Sequence, residues 1–280
     1  MGKISGLLRL GRPYTSILGS LAVLSASIAA IGVRVLDFGL SIVIATILVF
    51  VFSMGANSLN DYVDRSNDEI NHPERPIPSK QIKPILALYF SGILFGLSGI
   101  IAAILSVLVG IGAFLLFFMA FILQIAYEYN IKKLKFLGNY VIAVLTVLAF
   151  LLGGVVVKSI LISTILASTA FLAILAREIV KDVEDIRGDL NRISLPKIIG
   201  IRNANTLASV LLITAISISI AAFYPLLLLG KVYLILILAT DSLFLICIPF
   251  IFRNSRIARR LLKFAMLCAL LSFVFGGVFG

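Results

Sequence analysis

Residues 39–68 read GLSIVIATILVFVFSMGANSLNDYVDRSND. No charged side chain occurs among the 22 residues from Gly39 to Asn60, and then Asp61, Asp64, Arg65 and Asp68 follow within eight positions. At about 1.5 Å per residue, a helix of that length crosses a hydrocarbon layer of about 30 Å. The stretch reads as a membrane-spanning helix that delivers a row of acids to one edge of the layer.

The rest of the chain repeats the first half of that reading. Similar apolar runs lie at about 15–33, 83–104, 108–128, 139–157, 160–181, 203–224, 230–251 and 260–279, which with 39–60 makes nine expected spans. Of 280 residues, 61% are hydrophobic and 13% charged, against about 45–50% and 25% in soluble domains. Lipid is the solvent such a composition requires. The runs lack the short alternation of a transmembrane barrel, so helices remain as the way to satisfy the backbone. The expected fold class is an all-α polytopic bundle, one domain over 1–280.

Lysine and arginine are partitioned by the spans. Twenty-one lie in the N-terminal segment and in the connections after the even-numbered spans, whereas only Arg34, Lys158 and Lys231 lie on the other side. The positive-inside rule then places the N-terminus and the large loops in the cytoplasm and Gly280 outside. The net charge of +11 is spread between spans instead of forming a basic domain, so no nucleic-acid partner is implied. Lys3, Arg9 and Arg12 before the first run imitate a signal peptide, but eight further spans favour a first transmembrane helix. Cys247 and Cys268 stand singly in apolar segments and read as buried thiols, and His72 has no second histidine with which to build a metal site.

The acids also gather on the basic side. Asn57, Asn60, Asp61, Asp64 and Asp68 fall within an arc of about 100° on a helix. Residues 178–189, EIVKDVEDIRGD, repeat the arrangement with Glu178, Asp182, Asp185 and Asp189. Both stretches contain D-x-x-D-x-x-x-D, offset by 121 residues, and each follows an even-numbered span. This reads as an internal duplication of a four-helix unit, with repeats at about 12–128 and 139–251 and an extra helix at 260–279. Carboxylates stacked on one helix face repel each other, so the arrangement asks for a cation. Hard oxygen ligands suit Mg²⁺, which takes one or two carboxylates and shares its remaining positions with water and phosphate. Two such faces suggest a diphosphate held between two Mg²⁺ ions. Arg65, Arg75, Lys132, Lys133 and Lys135 lie on the same side and add direct cations.

At these residues the chain resembles the UbiA superfamily of intramembrane prenyltransferases. The matching strings are RPYT at 12–15, NDYVDRSND at 60–68, RPIPS at 75–79, GN at 138–139, LT at 145–146, GG at 153–154 and DVEDIRGD at 182–189. Within the superfamily, REIVKDVEDIRGD at 177–189 looks most like the branch that acts in archaeal ether-lipid synthesis. That resemblance implies transfer of a geranylgeranyl group from its diphosphate to the hydroxyl of geranylgeranylglyceryl phosphate. The site residues it implies are Asn60, Asp64 and Asp68 for one Mg²⁺ and Asp182, Asp185 and Asp189 for the other. Asp64, Asp68, Asp185 and Asp189 form the catalytic core of that set. Arg65, Arg75, Lys132 and Lys133 are the expected diphosphate ligands, and Arg9 and Arg12 the candidates for the acceptor phosphate.

Partners are then a prenyl diphosphate, a lipid acceptor and the membrane itself, with no obligate protein partner evident. Prenylation of an aromatic acid in quinone synthesis is the alternative within the superfamily. A cation-coupled transporter is the alternative from another class. Transport sites lie near the bilayer midplane, however, and only Asp241 occupies the middle of a span; its expected role is that of a neutral or hydrogen-bonded side chain.

Overall fold

A short helix, α1 (Lys3–Gly11), opens the chain and buries Leu10 against Ile77, Ile82 and Ala87. The computed structural model describes residues 3–186, 194–222 and 229–279, without the side chains of Lys3, Asn71, Lys133 and Lys135. Pro13, whose fixed φ suits the first helical position, starts α2 (Pro13–Ile31). A 3₁₀ stretch, Gly32–Phe38, turns the chain into α3 (Gly39–Val63), which leads into the short α4 (Arg65–Asn71). A loop then reaches α5 (Pro84–Val109), and Gly110, at φ 101°, forms the turn into α6 (Gly112–Tyr129). The second half repeats this order with α7 (Lys135–Val156), α8 (Ile160–Asp185), the short α9 (Leu195–Ile199), α10 (Ile201–Ala221) and α11 (Lys231–Arg253). The last helix is α12 (Ser255–Phe279), where Asn254 Oδ1 accepts the Ile257 N–H at 3.1 Å and so caps the first turn.

Eight apolar helical segments are long enough to cross a membrane, and the first of them, Pro13–Val63, is folded into α2 and α3 by the 3₁₀ stretch. Among the described residues nine helices therefore span, with ends within about five residues of the sequence expectation. Large apolar side chains point outward along them: Val107 is 85% exposed and Leu40 69%. Such a surface belongs in hydrocarbon.

Each half packs in the same sequence. α2 lies on α3, α3 on α5 and α5 on α6; likewise α7 lies on α8, α8 on α10 and α10 on α11. α2 joins the halves through α7, and α12 closes the bundle against α11, α2 and α8. The inward face of α2 is made of small residues, including Ser16, Ser20, Ala22, Ser25, Ala26 and Ser27. In lipid there is no hydrophobic drive between helices, so close backbone approach supplies the packing energy. Gly153 shows how close: a Cβ there would stand 2.6 Å from the Val23 carbonyl oxygen and 2.9 Å from Ala26 Cβ. Ser27 Oγ donates to that glycine's carbonyl at 3.2 Å.

Gly153→Val should accordingly force α2 and α7 apart and destabilise the protein by about 1–3 kcal/mol. Gly19→Ala, whose new methyl would meet only Ser53 Oγ at 3.6 Å, serves as the control. Thermal unfolding in detergent reads both variants, and equal midpoints would disprove the role given to the α2–α7 contact.

Candidate active site

Asp64 ends α3 with φ −84° and ψ 2°, yet the hydrogen-bond ladder runs through it. Asp64 N–H donates to Asn60 O at 2.9 Å and Asp68 N–H to Asp64 O at 2.9 Å. Asn60, Asp64 and Asp68 therefore stay on one face, and all three line a cavity of about 2020 Å³ in the bundle. Asn57, one turn earlier, donates to Gly11 O at 3.1 Å and to Ser16 Oγ at 3.3 Å, fixing the α1–α2 junction beside that face.

The hub of the first acidic segment is Glu128, a buried carboxylate near the end of α6. It accepts from Asn60 Nδ2 at 3.2 and 3.3 Å, from Gln124 Nε2 at 3.0 Å and from Lys132 Nζ at 2.6 Å. Lys132 Nζ also lies 2.9 Å from Asp64 Oδ1, so one ammonium bridges the carboxylates of α3 and α6. Sequence reasoning missed Glu128 because a single acid in YEYN matches no motif. Its signal was the Gln124, Glu128, Lys132 spacing, which stacks three polar groups on one helical face.

Asp61 and Asp68 are held by arginines. Arg12 pairs with Asp61; Arg75 Nη1 lies 2.6 Å from Asp68 Oδ2 and 3.6 Å from Asp61 Oδ1. Arg12 caps α2 in the left-handed region at φ 46°. A non-glycine residue there costs of order 1–3 kcal/mol, offset by the Asp61 pair and by the Ser16 N–H donated to Arg12 O at 3.1 Å. Arg9 Nη2 donates to Glu74 O at 2.9 Å and Nη1 to Gln81 Oε1 at 3.3 Å, away from the cavity wall. Arg65 also turns aside, donating to Tyr62 O at 2.8 Å with its guanidinium 4.7 Å above the Tyr62 ring.

The second acidic segment is compensated differently. Asp182 is fully buried and accepts from Asn139 Nδ2 at 2.7 Å, so it faces α7 and not the cavity. That contact gives the GN string at 138–139 a structural role. Asp185 and Glu178 do line the cavity, and Glu178 is flanked by Arg177 and by Lys181 Nζ at 3.5 Å. Asp189 lies outside the described residues, as does the side chain of Lys133.

Asp64 and Asp68 of the first segment and Asp185 of the second thus share one cavity. Farther in, its wall becomes apolar, with Phe52, Phe117, Leu148, Phe150, Ile174 and Phe273. Its volume is twice the upper end of the range of about 300–1,000 Å³ usual for one small ligand. Asp241, in the middle of α11, also lines the cavity, and its Oδ2 accepts from Ser219 Oγ at 2.8 Å; Thr240 pairs instead with Ser272 at 3.1 Å. Among the described residues no three Asp, Glu, His or Cys side chains converge into a closed metal cage. Open carboxylate and amide oxygens fit Mg²⁺ completed by phosphate, and do not fit an all-protein site.

Residues 18–278 match the UbiA prenyltransferase family. The chain is 36% identical to the digeranylgeranylglyceryl phosphate synthase of Methanosphaera stadtmanae over 95% of this chain and 99% of that one. The same-named protein of Methanothermobacter thermautotrophicus is 33% identical over 94% and 95%. A solved structure of a digeranylgeranylglyceryl phosphate synthase superposes over 100% of both chains at TM-score 0.82 with 31% identity. The fold is also that of an Archaeoglobus fulgidus UbiA homolog bound to DMAPP and Mg²⁺, at TM-score 0.70, 17% identity and 97% coverage of both chains. With its acid-lined cavity inside a bundle of apolar helices, the chain belongs to the UbiA prenyltransferase family.

Proposed function

We propose that the chain transfers a geranylgeranyl group from geranylgeranyl diphosphate to the hydroxyl of geranylgeranylglyceryl phosphate, forming the second ether of an archaeal lipid. The observation that carries this reading is the large cavity that joins Asp64, Asp68 and Asp185 to a long apolar chamber. It has room for two prenyl chains, with their polar ends meeting at the carboxylates. The near full-length similarity to digeranylgeranylglyceryl phosphate synthases supports the acceptor.

Asn60, Asp64, Asp68 and Glu128 would hold one Mg²⁺, and Asp185 with Asp189 a second; Asp182 orients that segment through Asn139. Bound Mg²⁺ supplies neutralisation of the charge that develops on the departing diphosphate. Lys132, pinned by Asp64 and Glu128, presents its ammonium to the same anion. Arg75, held 2.6 Å from Asp68, and Lys133, next to Lys132 in the chain, would add positive charge for that anion. As the allylic carbon–oxygen bond breaks, that carbon becomes cationic, and the apolar wall keeps it from bulk water. The acceptor oxygen then bonds to this carbon and loses its proton to a carboxylate or the released diphosphate.

We also infer that the acidic end of the bundle faces the cytoplasm, from the split of 21 basic residues to 3. After Cys247 and Cys268 are replaced, Ser79→Cys should react with an impermeant thiol reagent only in opened or inverted membranes, and Lys158→Cys in intact cells. The reverse pattern would overturn the orientation.

For the chemistry, Asp64→Ala and Asp185→Ala should each nearly abolish turnover at saturating Mg²⁺ and donor while still inserting and purifying. Glu128→Gln should lower kcat about tenfold or more and raise the Mg²⁺ requirement. Near-normal rates in Asp64→Ala or Asp185→Ala would remove the metal assignment. The acceptor is settled by product analysis of the unmodified enzyme with geranylgeranylglyceryl phosphate and hydroxybenzoate side by side. Prenylated hydroxybenzoate without diether would reject the lipid reading.

A further inference from the structure

The two substrates proposed above are both anionic, and one cavity must take them together. Cations that attract the diphosphate do not also relieve the repulsion from a second phosphate close by. Arg12 and Arg75 on the α3 side are already paired with Asp61 and Asp68, Lys132 with Asp64 and Glu128, and Arg9 with Glu74 O and Gln81 in the loop between α4 and α5. A second set of cations lines the opposite wall. Arg177 and Lys181 on α8 and Lys263 on α12 all border the cavity, with Glu178 as the one carboxylate in that group.

The placement of these side chains follows from one docking contact. Glu184 near the end of α8 accepts from Arg259 Nη2 at 3.2 Å and forms ion pairs with Arg259 Nε at 2.7 Å and Arg256 Nε at 3.5 Å, which fixes the first turns of α12 against α8. Chain directions are opposite in the two helices, so one turn deeper Lys181 and Lys263 come together, and Arg177 follows another turn in. Two features mark the group as incomplete. Arg177 Nε is buried with no hydrogen-bond partner among the described residues, and among those residues no ion pair holds the Lys263 ammonium.

We propose that Arg177, Lys181 and Lys263 form a subsite for the phosphate of the acceptor, separate from the diphosphate pole. The inference rests on the acceptor being a phosphorylated glyceryl ether. Spacing supports it: along α8, Lys181 lies about 6 Å and Arg177 about 12 Å deeper than Asp185. Glycerol has three carbons, so the phosphate ester is at most two carbons from the free hydroxyl. A phosphate near Lys181 therefore leaves the hydroxyl within reach of an allylic carbon held beside Asp185. The same subsite separates a glyceryl phosphate from an uncharged acceptor, which gives the cluster a role in substrate choice. Arg9 and Arg12, the candidates from sequence, are replaced in this assignment because Arg9 is turned to Glu74 O and Gln81 and Arg12 is matched by Asp61, whereas three cations here share the single carboxylate of Glu178.

The test uses the purified full-length enzyme with steady-state rates for each substrate. Lys263→Gln and Lys181→Gln should each raise the acceptor KM about tenfold while donor KM and kcat stay within about twofold. Lys263→Arg should recover most of the loss, a rescue that a merely structural disturbance would not show. Arg177 is the poorer probe, since its removal strands the buried Glu178. Unchanged acceptor KM in both lysine variants would overturn the proposal, and so would a tenfold rise confined to Arg12→Gln. If the unmodified enzyme forms no diether, the functional reading itself fails and this inference falls with it; if it does form diether, only the lysine variants decide.

Discussion

Carboxylates at the edge of a hydrocarbon layer must be compensated, and the bundle is arranged around that requirement. Isolated charges moved from water into a low-dielectric surround cost several kcal/mol each even after relaxation. Glu128, Asp61, Asp68, Glu178 and Asp182 are all buried, and each has a cation or an amide against it. The partners come from different elements: Arg12 from the α1–α2 junction, Arg75 from the loop after α4, Lys132 from the turn after α6 and Asn139 from α7. Polar pairing at this end thus fixes the elements of each half relative to one another.

Small residues provide the other half of the design. α2 meets α7 across Gly153 and α12 across Gly32 and Gly277, where a Cβ on Gly277 would fall 2.4 Å from Ile28 O. Tight contact along this seam is what allows the space between α3, α6, α8 and α12 to stay wide. A bundle packed evenly would have no chamber for two lipid chains. The aromatic pair Phe52 and Phe117, with ring centroids 6.1 Å apart, stiffens one wall of it.

Much of this was legible in the sequence for physical reasons that can be named. Long uncharged runs have no water-soluble alternative, so spans from 15–33 to 260–279 map onto α2 to α12 with shifts of only a few residues. Helical spacing likewise placed Asn60, Asp64 and Asp68 on one face. What was not legible depends on contacts between distant elements. Asp182 shares the spacing of its neighbours, yet Asn139 on α7 draws it out of the cavity. Arg65 sits inside the motif but finds the Tyr62 ring and carbonyl first. Glu128 carries no motif, because its importance comes from facing Asn60 across two helices. The short helices α1, α4 and α9 are too brief for periodicity to report them.

The contrast between the two acidic segments is the more informative result. Their spacing is identical, but their surroundings are not. In the first, cations from three separate elements converge on the acids, so the segment and its counter-charges form one polar pole. In the second, an amide takes the most buried acid, and Glu184 is tied outward to Arg256 and Arg259. The cations that remain on α8, joined by Lys263, face the cavity in excess over Glu178. The same spacing thus sits in two electrostatic settings, one with its acids paired to cations from three elements and the other with cations on α8 and α12 left in excess deeper than Asp185. Identical residues in equivalent places can diverge in role through their neighbours alone, because the field at a carboxylate is set by what the tertiary fold brings to it.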